Sequence, residues 1–317
     1  MHSVKRILAK ISSSLLFIIS VAFVIGIGIG TYAPEVVGEY PHVSLVALAG
    51  IFFLSALKID FHEVRDALGD GKTLLISALF MLVLLPIVVF FVANTLYPEV
   101  AIAFLLLSAM PSGMTAPFLT SLAKGSEEYA LVMTVITSLL TPLSVPLVVS
   151  LMVGTDISID TFAMFTRLAI IIFLPFFLAQ IIKRIIPKTI TRIEYSFTPV
   201  STGLLAILIA FIVAKRPEEI LALGNGGESL FFLFALTILF IVLHVLGYTA
   251  IWWKKKRERI AIAICLTYMN FTLAIDLADT FFGDMSSIVV PTILSVIPWA
   301  LLFIPFRALI QRKSTAT

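Results

Sequence analysis

Two carboxylates, Asp276 and Asp279, stand three residues apart in the otherwise apolar run IAIAICLTYMNFTLAIDLADTFF (Ile260–Phe282). That spacing puts both on one face of a helix. A carboxylate in an apolar span is costly unless it serves a cation or a proton, so Asp276 is the candidate ion-coupling group. Asp279 is expected at the outer interface. The centre of the same run carries Thr267, Tyr268, Asn270 and Thr272. A second concentration of polar and helix-breaking residues lies in LLLSAMPSGMTAPFLTSLAKG (Leu105–Gly125), where Pro111, Ser112, Gly113, Thr115, Ala116 and Pro117 interrupt an apolar stretch. Interrupted helices expose backbone N–H and C=O groups that coordinate small ions and anionic groups. The freed groups of Pro111–Thr115 are expected to line a cavity facing the ninth span. The candidate substrate-binding set is Ser112, Gly113, Thr115, Ala116, Pro117, Thr267, Asn270 and Thr272. The candidate ion-coupling set is Thr134, Asn270 and Asp276.

The elements that position these groups must be membrane helices. Hydrophobic residues make up 60% of the chain and charged residues 13%. Soluble domains carry about 25% charged residues. This composition excludes a soluble core and a nucleic-acid surface. The single cysteine, Cys265, cannot form an intrachain disulfide or a cysteine metal cluster. No G-x-x-x-x-G-K-[ST] sequence is present to bind ATP, and no H-E-x-x-H to hold a catalytic zinc, so neither an ATP-driven pump nor an enzyme is expected. The basic start and apolar run to Tyr32 read as a first spanning helix, because the run exceeds a signal-peptide core of roughly 7–15 residues.

A hydrocarbon layer needs about 20 apolar residues per helix. Ten spans fit, at about 13–33, 42–58, 73–97, 99–123, 129–153, 161–186, 196–214, 229–253, 259–281 and 286–308. With both termini in the cytoplasm, 19 of the 22 basic residues fall on the cytoplasmic side, including Lys124 and the run KKKRER (Lys254–Arg259). Only Arg167, Lys215 and Arg216 fall outside. Lys124 reads as an interface anchor, and the basic run as a topology signal. Ten spans divide into two inverted halves, 1–154 and 155–317. The proline-bearing stretches TSLLTPLSVPLVVSL (Thr137–Leu151) and PTILSVIPWALLFIP (Pro291–Pro305) occupy equivalent positions in them. His244 is expected to hydrogen-bond a neighbouring helix, and Cys265 to serve packing.

PSGMTAPFLTSLAKG resembles the crossover signature PGGTxSNxxTxLAxG of the bile acid:sodium symporter family, and LSALKIDFHEVRDAL (Leu54–Leu68) and LHVLGY (Leu243–Tyr248) are similar to further family segments. The chain is identified as a divergent, bacterial-type member. The resemblance implies an all-α fold of ten transmembrane helices in two inverted five-helix repeats, with discontinuous crossing helices 4 and 9. It implies a panel domain of spans 1, 2, 6 and 7 and a core domain of spans 3–5 and 8–10. It also implies a secondary active transporter of small organic anions in the bacterial inner (plasma) membrane. The family's sodium ligands map here to Ala116 and Pro117 (in place of Ser-Asn), Cys265 (Glu), Met269 (Gln) and Met81 (Gln), while Asn270 and Thr134 are kept. Sodium requires several oxygen ligands, so the usual sites are expected to be lost or weak. No cofactor is expected beyond a coupling sodium or proton. The alternatives are a proton-coupled or uncoupled organic-anion carrier, or a non-transporting receptor on the same fold. The fourth span lacks a cysteine, which argues against arsenite-carrier chemistry.

Overall fold

Apolar runs of this length leave backbone polar groups no partners but one another, and helices satisfy them within a segment. In the computed structural model the described residues, 2–59, 71–154, 159–222 and 227–312, are helical almost throughout and contain no β-strand. Residues 60–68 of the LSALKIDFHEVRDAL segment lie outside the described residues, as do Lys313 and the side chains of Lys5, Arg6, Lys10 and Arg312.

The helices are α1 (His2–Tyr32), α2 (Pro34–Glu39), α3 (Val43–Lys58), α4 (Gly71–Leu79), α5 (Leu85–Leu96), α6 (Pro98–Ala109), α7 (Ala116–Leu122), α8 (Glu127–Val153) and α9 (Thr161–Ile185). There follow α10 (Pro187–Ile193), α11 (Phe197–Ala214), α12 (Pro217–Ala222), α13 (Gly227–Ala250), α14 (Lys256–Thr267), α15 (Phe271–Phe281), α16 (Ser286–Leu294), α17 (Val296–Leu301) and α18 (Phe303–Arg312). Six helical stretches among the described residues are long and apolar enough to cross a membrane: Gly71–Leu96, Glu127–Val153, Thr161–Ile185, Pro187–Ala214, Leu230–Ala250 and Ser286–Ile310. Shorter apolar helices cover Phe17–Tyr32, Val43–Lys58 and Pro98–Ala109. The protein is an integral membrane protein built of helices.

Helix breaks do not follow proline content. Pro142 and Pro146 sit inside the continuous α8. The stretch from Gly71 to Leu96 also continues past Pro86, through a π-helical segment at Phe80–Leu84 that widens the turn just before it. The run 259–281, by contrast, divides at Tyr268–Asn270 with no proline or glycine.

The chain forms two compact units, Met1–Lys58 with Pro175–Phe231 and Ile59–Leu174 with Phe232–Thr317. In the first, α1 packs on α11 through small residues. A Cβ on Gly26 would meet the Ala210 carbonyl oxygen at 2.5 Å, and one on Gly30 the Ala214 carbonyl at 2.4 Å. Gly26 and Gly30 against Ala210 and Ala214 are therefore a small-xxx-small contact, the usual way for helices to approach closely where lipid removes the hydrophobic drive. Gln180 Nε2 donates to the Ala56 carbonyl at 2.9 Å, above a cluster of Ala56, Leu57, Ala179, Ile190 and Phe197.

In the second unit α6 is almost wholly buried, with Leu105, Leu106 and Leu107 at zero exposure. Gly247 lets α13 reach the α14 backbone, since a Cβ there would lie 2.6 Å from Ala263 Cα. Threonines 134, 137 and 141 of α8 return their hydroxyl protons to carbonyls one turn back, at 2.7–2.9 Å. This is how hydroxyls are satisfied in an apolar helix.

Candidate functional site

The two interrupted helices meet at their breaks. Ser112 and Met269 form an isolated antiparallel bridge. Gly113 N–H donates to the Tyr268 carbonyl at 2.8 Å, and Asn270 N–H donates to the Pro111 carbonyl at 2.8 Å. Each break thus supplies what the other lacks, a donor for a carbonyl and a carbonyl for a donor. That accounts for unwound backbone in an apolar interior, where an unpaired amide is expensive. It also changes what Pro111–Thr115 offer: the Pro111 carbonyl and the Gly113 amide, expected to be free, are taken up by the facing break.

Gly113 is required by this contact. Its Cβ would stand 2.6 Å from the Tyr268 oxygen and 3.1 Å from that of Met269. A third helix braces the crossing. Ser112 N–H donates to Thr137 Oγ1 at 3.2 Å, and the Thr134 and Ser112 hydroxyl oxygens are 3.1 Å apart. Asn270 caps α15: its Oδ1 accepts from Leu273 N–H at 3.2 Å and from the Thr272 hydroxyl at 2.6 Å.

The structure gathers Ser112, Gly113, Thr134, Asn270 and Thr272 around the crossing, all buried. Ala116 is buried at the start of α7, and Pro117 beside it is half-buried. Thr115 has an exposed side chain. Thr267 is buried and bonds the Ala263 carbonyl of its own helix at 2.8 Å. Cys265 is buried with its sulfur 3.8 Å from the Ala130 carbonyl. Lys124 is exposed and takes φ = 61° where α7 ends. This left-handed residue closes the helix terminus.

Arg167, a residue that charge counting alone had assigned to the outer side, holds Asp276. Its Nε donates to Oδ2 at 2.8 Å and its Nη2 to Oδ1 at 2.7 Å. The Asp276 side chain is 4% exposed and that of Arg167 is 27% exposed. Asp279, part-buried, lies close enough to add to the field at Arg167. The 109-residue separation of the pair left no local signal of it in the sequence.

His244 differs from expectation. Its Nδ1 faces the Phe240 carbonyl of its own helix at 2.8 Å and not a neighbouring one. The ring packs against Tyr268 and Phe306, with centroids 5.4 and 4.2 Å apart. Tyr268 in turn packs edge-on against Trp299 and Phe303, both at 5.7 Å. Aromatic rings therefore wedge the second break from the side of α13, α17 and α18.

Residues 14–297 match the sequence profile of the SBF-like CPA transporter family. The sodium/bile acid cotransporter 7-A of Xenopus laevis is 25% identical over 271 residues, covering 81% of this chain and 77% of the relative. The sodium/bile acid cotransporter 7 of Danio rerio is 25% identical over 274 residues, covering 81% and 78%. That of Mus musculus is 24% identical over 289 residues, covering 85% and 82%. With nearly its whole length matched, the chain belongs to the SBF-like CPA transporter family, a family of transporters and not of enzymes.

Proposed function

We propose that the protein is a secondary active transporter of a small organic anion, working by alternating access with both termini in the cytoplasm of a plasma membrane. The observation that carries this reading is the backbone crossing of Pro111–Gly113 with Tyr268–Asn270 between two interrupted apolar helices. Such breaks mark the substrate region of transporters with inverted repeats. The names of the relatives, sodium/bile acid cotransporters, point to an organic anion as cargo. The proposed architecture is ten spans in two inverted halves, 1–154 and 155–317. The nine long or short apolar helices among the described residues support it, together with α14–α15, which is divided as α6–α7 is. The two compact units support a panel domain around α1, α3 and α11 and a core domain holding both breaks.

Sodium coupling of the usual kind is not part of this proposal. Met81, Ala116, Pro117, Cys265 and Met269 offer no side-chain oxygen at the positions where a hard cation would need one. The Thr134 hydroxyl is already engaged with Ala130 and Ser112. Asn270 Oδ1 is engaged in the α15 cap. The test is uptake of labelled cholate and benzoate into proteoliposomes under an inward sodium gradient, an inward proton gradient, or neither. Carboxylate uptake that does not respond to sodium is expected. Uptake that strictly requires sodium would refute the loss of its sites, and no uptake of either compound would refute the anion reading.

A further inference from the structure

Arg167 lies inside α9, six residues from Thr161 and so about 9 Å along the helix at the usual rise. Asp276 lies six residues past Asn270, also about 9 Å from the crossing along α15. A guanidinium has five N–H donors in one plane. The bond pair to Asp276 uses the edge formed by Nε and Nη2. Three donors remain on Nη1 and Nη2, forming a second edge that again matches two oxygens. Among the described residues no other protein group hydrogen-bonds to Arg167 in the structure. The side chain is nevertheless 27% exposed. A guanidinium edge turned to lipid would be costly, so an open edge at this depth calls for an anion or water.

We propose that the free edge of Arg167 recognises the carboxylate of the transported anion, with Asp276 as the positioning residue that fixes the guanidinium plane. This rests on the transport reading above and names the group that receives the charge of the cargo. Asp276 suits the role because both of its oxygens are occupied by the arginine and its side chain is almost wholly buried. Such a carboxylate holds a partner still; for a proton or cation to bind it, the guanidinium would first have to leave. Asp279, three residues on, sets a limit. With two carboxylates near one guanidinium there is no net positive field to attract an anion from afar. Recognition depends on the directional fork, which favours a planar two-oxygen group and a moderate affinity compatible with release.

The test is uptake of labelled cholate and labelled benzoate by the full-length protein in liposomes, competed with the uncharged amides of the same acids. In the wild type the amides compete at least tenfold more weakly than the acids. Arg167→Lys keeps the charge and loses the fork, and KM rises about tenfold to a hundredfold, the loss of a charge-assisted bond pair, with Vmax little changed. The double variant Arg167→Gln/Asp276→Asn removes both charges and leaves neither one buried alone. It folds, as size-exclusion elution checks, and no longer distinguishes acid from amide. Wild-type KM in either variant, or restored acid selectivity in the double variant, shows the pair to be structural only and overturns the proposal while leaving transport intact. Absence of uptake by the wild type would instead overturn the transport reading, and this assignment with it.

Discussion

Gly113→Ala places one methyl group where two interrupted helices touch. The new Cβ would stand 2.6 Å from the Tyr268 oxygen, a backbone atom that cannot swing aside as a flexible side chain would. Relief to ordinary contact needs a separation larger by about 0.8 Å, which takes the Gly113 N–H to Tyr268 bond from 2.8 Å to about 3.6 Å, beyond useful hydrogen bonding. The reciprocal bond from Asn270 to Pro111 is one residue away on the same bridge and loosens with it. Two buried bonds, at roughly 1–3 kcal/mol each when their groups are left unpaired, give a cost of about 2–6 kcal/mol. The assay is uptake rate per folded molecule, with folded protein measured by size-exclusion elution and thermal unfolding. Uptake falls at least tenfold and the unfolding midpoint drops. Gly28→Ala is the control, since a Cβ there has nothing within 4 Å, and it keeps both. Wild-type uptake and stability in Gly113→Ala would refute the claim that the crossing is close-packed and required.

Thr137→Val removes the acceptor of Ser112 N–H and leaves that amide buried and unpaired; a loss of about 1–3 kcal/mol is expected in thermal unfolding, with Leu139→Val, on the exposed side of α8, as the neutral comparison. Asn270→Ala removes the α15 cap and costs about 1 kcal/mol, read as a lower unfolding midpoint, while Asn270→Asp, which keeps an accepting oxygen, recovers part of it. Gly30→Ala sets a Cβ 2.4 Å from the Ala214 carbonyl and forces α1 from α11, destabilising the first unit by about 1–3 kcal/mol; protease cleavage that detects no added opening would count against the small-residue contact.

The first break was legible because Pro111, Gly113 and Pro117 cannot continue a helix without loss. The second was implied by the family resemblance but was not legible as a break from its own residues, since Tyr268, Met269 and Asn270 are ordinary helix residues. It is imposed by its partner, whose Gly113 amide and Pro111 carbonyl replace the helical bonds given up. The polar cluster at Thr267–Thr272 was the trace that remained in the sequence, and Asn270 in it proves to be a cap. Proline content alone does not place the breaks. Those in α8 lie inside an unbroken helix, whereas the run 286–312, with its prolines at 291, 298 and 305, divides into α16, α17 and α18. The Arg167–Asp276 pair was out of reach because loop charge counting ranks an arginine only by side. Spacing within α15 joined Asp276 to Asp279 and said nothing of a partner on α9. The close contact of Gly26 and Gly30 with Ala210 and Ala214 emerged only from the structure.

The central claim is that the protein carries an organic anion by alternating access, and counterflow tests it most directly. Proteoliposomes are loaded with unlabelled cholate and diluted into trace labelled cholate, with sodium and pH equal on both sides. A carrier that exposes one site to each side in turn accumulates label transiently above its equilibrium level, and Gly113→Ala abolishes the overshoot. Label that merely equilibrates, at a rate indifferent to the internal cholate and to Gly113→Ala, would contradict the account.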